Sequence, residues 1–344
     1  MEDYKSRSTA QPHGQESPNT DHVATQDWRN RCRKWILLAT TLPIGLLIYS
    51  YFGRYSFFAE LVCNFRFQLL SAILIAAMTM ACMRGYTWAI AMVAIVLASG
   101  PSVYPTAKLF DANHAVNHNA QHSVSVMSFN ILGLNDDWDA VLKMITQNDP
   151  DILVIIEYTS DWVLPLKQLN SVYPYRIEQP RWHGFGIALF SKLPFSHYET
   201  YRLAPDTTDS PMIVADVDLG EQQPLRVAAT HLLAPMGYTR MAIRNQQLRE
   251  TAEVIPADGQ PTVLLGDFNC VPWSPFLRDT LTTTQLQDSR RGFGYQGSWP
   301  SDFWPMRIPI DHAFVSKNVS VIKRETLKSP TGSDHFPILL ELRF

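Results

Sequence analysis

The sequence predicts a layered α/β domain carried behind an apolar N-terminal segment, and two observations carry that prediction. From residue 122 onward, short apolar runs of strand length alternate with stretches at helical spacing, and several of the runs stop on Asn, Asp, Glu or His. Ahead of them lie three uncharged apolar stretches, residues 35–53, 67–83 and 85–105. A bilayer-spanning helix needs about 20 mostly apolar residues, with a range near 17–25. All three stretches reach that length, and 344 residues suffice for one large domain plus such a module.

Taken in order, residues 1–27 are polar and without apolar period, as in a disordered tail. The basic flank of Arg29, Arg31, Arg33 and Lys34 extends this to a cytoplasmic tail over 1–34, followed by a three-helix transmembrane anchor over 35–105. A buried hairpin of a soluble protein seldom runs so long without a charge. A cleavable signal peptide is disfavoured, because the first apolar run begins late and two more follow. Arg84 sits between the second and third stretches, on the same side as the basic flank, whereas the 54–66 loop balances Arg54 and Arg66 against Glu60. Three spans then place everything after residue 105 outside the cytoplasm, in the periplasm or beyond. Residues 106–121 read as a linker. Its His114 and His118, with His122, would align only on a helix, which this Asn-rich stretch forms poorly, so metal binding there is disfavoured.

In the domain over 122–344, Val124 and Val126 alternate with Ser125 in a strand that ends at Phe129-Asn130. Trp138, Val141, Leu142 and Ile145 keep helical spacing. Residues 152–156 are continuously apolar, as in a strand covered on both faces, and stop on Glu157. Further strands are expected at 185–190, 212–217, 225–229, 262–265, 310–315 and 336–342. Met241, Leu248, Ala252 and Ile255 mark a helix between the strands at 225–229 and 262–265. No internal repeat is visible in the sequence.

Charge and cysteine narrow the class. Residues 1–121 hold 10 Lys/Arg against 7 Asp/Glu (+3), and residues 122–344 hold 19 against 25 (−6). A domain of that sign lacks the cations of a general polyanion binder. Of four cysteines only Cys270 lies in the second half, so no disulfide closes within it.

Six positions share one pattern, a polar residue that terminates a strand or opens the following loop: Asn130, Glu157, His231, Asp267 with Asn269, Asp311, and Asp334 with His335. One acid there is usually a turn or cap. An ordered set of carboxylates, amides and imidazoles is what metal-assisted phosphoester hydrolysis requires. These motifs, Gly266-Asp267-Phe268-Asn269 and Ser333-Asp334-His335 above all, resemble the endonuclease/exonuclease/phosphatase superfamily, of deoxyribonuclease I-like fold, in its membrane-anchored bacterial type.

The resemblance implies a four-layer α/β sandwich, two packed mixed sheets flanked by helices. It implies that Asn130, Glu157 and Asp334 hold Mg²⁺ or Mn²⁺, with Glu157 the principal ligand. His231 would contact the scissile phosphate, and Asp267 and Asn269 would orient the nucleophile. His335, paired with Asp311, would act as general base or stabilise the transition state. His312, on the other face of its strand, is expected to be structural. Trp273 and Trp299-Pro300 resemble the membrane-attached members, though such aromatics are more often core. The implied substrate is a nucleic acid, a phospholipid head group or a small phosphodiester; the membrane bilayer is the other partner, and no obligate protein partner is evident. A catalytically retired membrane scaffold is the alternative, but it would lack one of the eight positions and none is missing.

Overall fold

The computed structural model describes residues 20–103, 123–220 and 223–343. The linker expected at 106–121, with His114 and His118, and also His122, lies outside them, as do residues 1–19. Four helices come first: α1 (Thr20–Ser50), α2 (Phe57–Cys63), α3 (Arg66–Cys82) and α4 (Tyr86–Ser99). α1 takes in residues 20–34, which the sequence assigned to the tail. Ser56 starts α2 by accepting from the Ala59 amide, the usual device for an orphan donor at a helix start.

The expectation of three spans is corrected. Among the described residues one helix is long and apolar enough to cross a bilayer by itself, over Thr25–Ser50; a second such span is found only if α2 and α3, bent by 63°, count as one. α3 has 17 residues and α4 has 14. At 1.5 Å per residue α4 is about 21 Å long, short of a ~30 Å hydrocarbon core. The apolar runs overshoot the helices because composition does not register their breaks. The 51–55 segment is a turn, and α4 gives way at Gly100-Pro101 to a short 3₁₀ turn.

The remaining elements are β1 (Ser123–Asn130), α5 (Trp138–Asn148), β2 (Ile152–Ile156), α6 (Ser160–Leu166), β3 (Tyr175–Gln179), β4 (Ile187–Ser191), β5 (Phe195–Leu203), β6 (Ser210–Val217), β7 (Leu225–His231), α7 (Tyr238–Val254), β8 (Thr262–Asp267), α8 (Pro275–Thr284), β9 (Gln287–Asp288), β10 (Asp311–Val315), β11 (Ser320–Thr326) and β12 (Ile338–Arg343). They form two six-stranded sheets, ordered β11-β12-β1-β2-β4-β3 and β5-β6-β7-β8-β10-β9. Strand β2 shows why the layers stack as they do. Side chains alternate across a strand, so Ile152, Val154 and Ile156 enter the core between the sheets, while Leu153 and Ile155 pack outward with Val141, Ile145 and Trp162 of α5 and α6. On the other side Ala228, Leu264 and Phe314 face Leu248 and Leu277 of α7 and α8. The result is the expected helix–sheet–sheet–helix sandwich.

Each sheet is built on one parallel pair, β1 with β2 and β7 with β8, flanked by antiparallel neighbours. The two strand orders are the same once β7 is set on β1 and β8 on β2, a repeat of topology that the sequence does not display. The N-terminal helices pack against the domain: Leu70, Ile73 and Met92 share a core with Val271, Trp273, Ile308 and Ile310.

Candidate active site

The two parallel pairs bring their carboxyl ends to one edge of the sandwich. Asn130 ends β1 and His231 ends β7; Asp267 ends β8, and Glu157 follows β2 directly. The other residues arrive differently from the expected pattern. Asp311 opens β10, and Asp334 with His335 precede β12, so they stand at strand beginnings. They reach the same edge because β10 runs antiparallel to β8, with Asp311 opposite Asp267, and β12 runs antiparallel to β1.

Backbone geometry serves this edge. Gly266 has φ +146°, and a Cβ there would lie 1.9 Å from the Thr230 carbonyl oxygen. Only glycine lets β8 run that close to β7. Glu157 and Asn269 adopt positive φ, 62° and 48°. Such strain costs roughly 1–3 kcal/mol and persists where the surroundings fix it. Glu157 Oε2 accepts from the Gly133 amide at 2.9 Å, and the Asn269 amide donates to Asp267 Oδ1 at 2.8 Å.

All eight predicted residues meet here. Asn130 Nδ2 donates to Glu157 Oε1 (3.1 Å) and to Asp267 Oδ2 (3.2 Å), while its Oδ1 accepts from the Leu132 amide. Asn130, expected as a metal ligand, instead presents amide hydrogens to the acids, with its oxygen taken by the Leu132 amide, and ties the two sheets together. His335 Nδ1 lies 2.8 Å from Asp311 Oδ2 and donates to it; its Nε2 faces Asp267 Oδ2 at 3.8 Å and Asp334 Oδ1 at 4.0 Å. His231 Nε2 is also 3.8 Å from Asp267 Oδ2. Asn269 Nδ2 donates to the Leu232 carbonyl. His312 is buried and bonded to the Cys270 carbonyl, as a structural residue should be.

Burial sets the charges. Burial, with Asp311 beside it, pushes the Asp267 carboxyl up to about 8. Burial alone would lower His335, but Asp311, through charge and hydrogen bond, and then Asp267 outweigh it and hold the imidazole at about 10. Burial would likewise raise Asp311, and the facing imidazolium overrides it, keeping that carboxylate low. His231 is lowered by burial and stays neutral.

Sequence reasoning missed several neighbours. Trp299, expected in the core, donates from Nε1 to Asp334 Oδ2 at 2.9 Å, whereas Trp273 is buried and donates to the Cys63 carbonyl. Ser298 Oγ accepts from the Asp311 amide, and Phe185 stands 5.3 Å from the His231 ring. A cavity of about 500 Å³ opens on the cluster, and its lining includes Arg240 of α7 and, from the N-terminal helices, Leu61, Asn64 and Phe65. No local motif marks these; only the fold brings them near.

A family model described as the endonuclease/exonuclease/phosphatase family matches residues 127–335, more than half of the chain. The chain belongs to this family. No curated protein matches it. Among solved structures it is similar to an endonuclease/exonuclease/phosphatase from Beutenbergia cavernae (19% identity, 65% of this chain and 72% of that one, TM-score 0.53). It is also similar to D. rerio TDP2 complexed with a single-strand DNA product (17%, 64% and 99%, 0.54) and to the human Nocturnin catalytic domain with bound sulfate (21%, 64% and 93%, 0.53). At such identities the likeness extends to the fold alone.

Endonuclease/exonuclease/phosphatase enzymes hydrolyse phosphoester bonds and typically depend on a divalent metal. The donors present fit such an ion. Asp267, Asp311 and His335 bring one ligand atom each within 4.8 Å of one another, but Asp311 and His335 are engaged with each other. Glu157 and Asp334 line the same cavity, and each Glu157 oxygen accepts one hydrogen bond and keeps a lone pair. Asp334 Oδ1 is buried without a hydrogen-bond partner, and glycines at 133 and 184 leave room around Glu157 Oε2, where a Cβ on either would stand 3.5 Å away. Carboxylate oxygens suit a hard divalent cation that keeps several waters.

Proposed function

We propose that this chain is a membrane-anchored, divalent-metal-dependent phosphoester hydrolase whose catalytic domain lies outside the cytoplasm. The observation that carries the catalytic reading is the joined cluster in which Asn130 links Glu157 to Asp267 while Asp311 orients His335. Glu157 and Asp334 would hold Mg²⁺ or Mn²⁺, which when bound supplies Lewis-acid polarisation of a phosphoryl oxygen. In hydrolysis the oxygen of water bonds to phosphorus and the ester P–O bond breaks, its electron pair leaving with the alcohol oxygen, which takes up a proton from solvent. Asp267 is placed to take the water's proton, its affinity for protons raised by burial. Asp311 fixes the His335 tautomer, so that Nε2–H points at the cavity and can neutralise charge on the phosphoryl oxygens. Neutral His231 offers a further contact to phosphate, and Asn269 borders the same space.

Anchoring rests on Thr25–Ser50, whose basic residues Arg29, Arg31, Arg33 and Lys34 all fall at one end. Positive charge held inside makes that end cytoplasmic, and a single span then carries the domain outward, as in a bacterial inner-membrane protein. Two experiments test the two halves. Purified full-length protein is assayed on phosphomonoesters and phosphodiesters with Mg²⁺, Mn²⁺ or chelator; hydrolysis that survives chelation would remove the metal from the mechanism. Alkaline phosphatase and a cytoplasm-only fluorescent reporter are fused after Phe344; fluorescence without phosphatase activity would reverse the orientation.

A further inference from the structure

The N-terminal helices do more than carry the domain: they build one wall of its cavity. Leu61 of α2 and Asn64 and Phe65 of the α2–α3 turn line the same space as Glu157, Asp267 and His335. That wall is fixed in place. Glu60, buried, pairs with buried Arg244 and accepts from Ser274 Oγ at 3.1 Å, and Arg244 Nη1 donates to the carbonyl of Asn269 at 3.0 Å. Three residues further along α2, the Cys63 carbonyl accepts from Trp273 Nε1 at 2.6 Å.

The lining of this space is chemically mixed. Glu157, Asp267, Asp334, His231 and His335 supply carboxylates and imidazoles. Leu61, Phe65, Pro235 and Met236 are apolar, and Arg240 is the one Lys or Arg among the lining residues described. The apolar surface continues outward. Met236 is 68% exposed, and exposed Tyr238 packs its ring on Phe57 (4.6 Å) and on exposed Phe58 (5.9 Å). Beyond them the outer faces of the helices expose Trp35, Leu38, Leu42 and Ile48, in the candidate span itself. Exposed apolar area this extensive marks an interaction surface. A volume of about 500 Å³ is in the range of small-molecule pockets.

Resting on the hydrolase reading above, we propose that the substrate is the phosphoester of a membrane lipid. The phosphate meets the acidic edge and Arg240, while the glycerol and first acyl carbons lie between Leu61, Phe65 and Met236, with the chains still in the bilayer that α1 enters. A long polyanion suits the site poorly, since binding strength for nucleic acid comes from many cations and this domain carries a net charge of −6. Apolar contacts remote from the reacting bond raise turnover when they are realised in the transition state, so removing the chains should lower kcat as well as affinity.

The test uses the full chain in phosphate-free detergent with Mg²⁺. Mixed micelles of phosphatidic acid or phosphatidylglycerol are compared with the deacylated counterparts glycerol 3-phosphate and glycerophosphoglycerol, and with a short single-stranded oligonucleotide. The expected kcat/KM on at least one lipid exceeds that on its deacylated form, and on the oligonucleotide, by about tenfold or more. Leu61→Glu and Met236→Glu should lower the ratio of the lipid's kcat/KM to that of its deacylated counterpart by about tenfold. Met236 is exposed, so its variant reports on the mouth even if Leu61→Glu fails to fold. Preference for a deacylated ester or the oligonucleotide, or equal losses on lipid and soluble substrate, would overturn the lipid assignment and leave the hydrolase standing. Hydrolysis of none of these would overturn both.

Discussion

Replacing Asp311 by Asn tests the central pair of the site, because the structure fixes both the size of the effect and its dependence on pH. The carboxylate lies 2.8 Å from His335 Nδ1, and both side chains are buried. His335 is raised from 6.5 to about 10, so the folded state keeps a proton that the unfolded chain has largely lost at neutral pH. The stabilisation is therefore complete below about pH 6.5 and disappears as pH rises through about 10. At pH 7, about three pH units below the folded value, it amounts to about 4 kcal/mol at ~1.36 kcal/mol per unit. Asp311→Asn removes it, so its thermal transition should fall well below the parent's at pH 6.5 and approach the parent's by pH 9.5–10. Melts are taken on the full chain in detergent with chelator, since a bound cation would itself change the proton affinity of His335. Assayed with Mg²⁺, the same change should cost about 10²–10³-fold in kcat/KM, the scale of losing a positioned donor that stabilises transition-state charge. The double variant with His335→Ala should be scarcely worse than His335→Ala alone, since the two residues serve one function. A stability gap that does not vary with pH, or losses that multiply in the double variant, would show that the pair does not act as a unit.

Three further outcomes are expected. Glu157→Gln keeps an acceptor for the Gly133 amide but loses the charge, so divalent-cation affinity measured by titration calorimetry should fall by about tenfold or more with the fold intact; unchanged affinity would remove Glu157 from the ion's ligands. Glu60→Gln leaves Arg244 buried without its counter-ion and should cost about 3–5 kcal/mol, whereas Glu60→Met with Arg244→Met should recover most of it; denaturant titration separates the two, and equal destabilisation would count against the ion pair. Gly266→Ala drives a Cβ into the Thr230 carbonyl oxygen, so the variant should be inactive or aggregate on expression; wild-type activity would mean that β7 and β8 have room to separate there.

The sandwich was legible from the sequence where strands are buried and illegible where they are not. The runs at 124–130, 152–156, 212–217, 225–229 and 262–265 correspond to β1, β2, β6, β7 and β8, central strands whose side chains have nowhere to go but inward. β3, β5, β9 and β11 were not anticipated, and all four are edge strands. β5 exposes most of its residues and β3 alternates only weakly, so neither carries the apolar signal that a covered strand must. The helices show the converse error: apolar composition over 85–105 reads as one span, but α4 ends at Ser99 and the chain turns at Gly100-Pro101, a break to which apolar composition is blind.

The site divides along the same line. The eight residues grouped from the sequence, Asn130, Glu157, His231, Asp267, Asn269, Asp311, Asp334 and His335, come together at one edge of the sandwich, because each sits beside a strand terminus there. Which atom faces which could not be read from the sequence. That Asn130 turns its amide hydrogens toward the acids, that Trp299 holds Asp334, and that Asp311 reaches the site from the beginning of an antiparallel strand are consequences of pairing between segments far apart in the chain. The wall formed by Leu61 and Phe65 belongs to the same class. Nothing in an apolar helix announces that one of its turns lines the same cavity as Glu157 and Asp267; the buried Glu60–Arg244 pair and the Trp273–Cys63 hydrogen bond decide it, and both join residues about 200 positions apart in sequence.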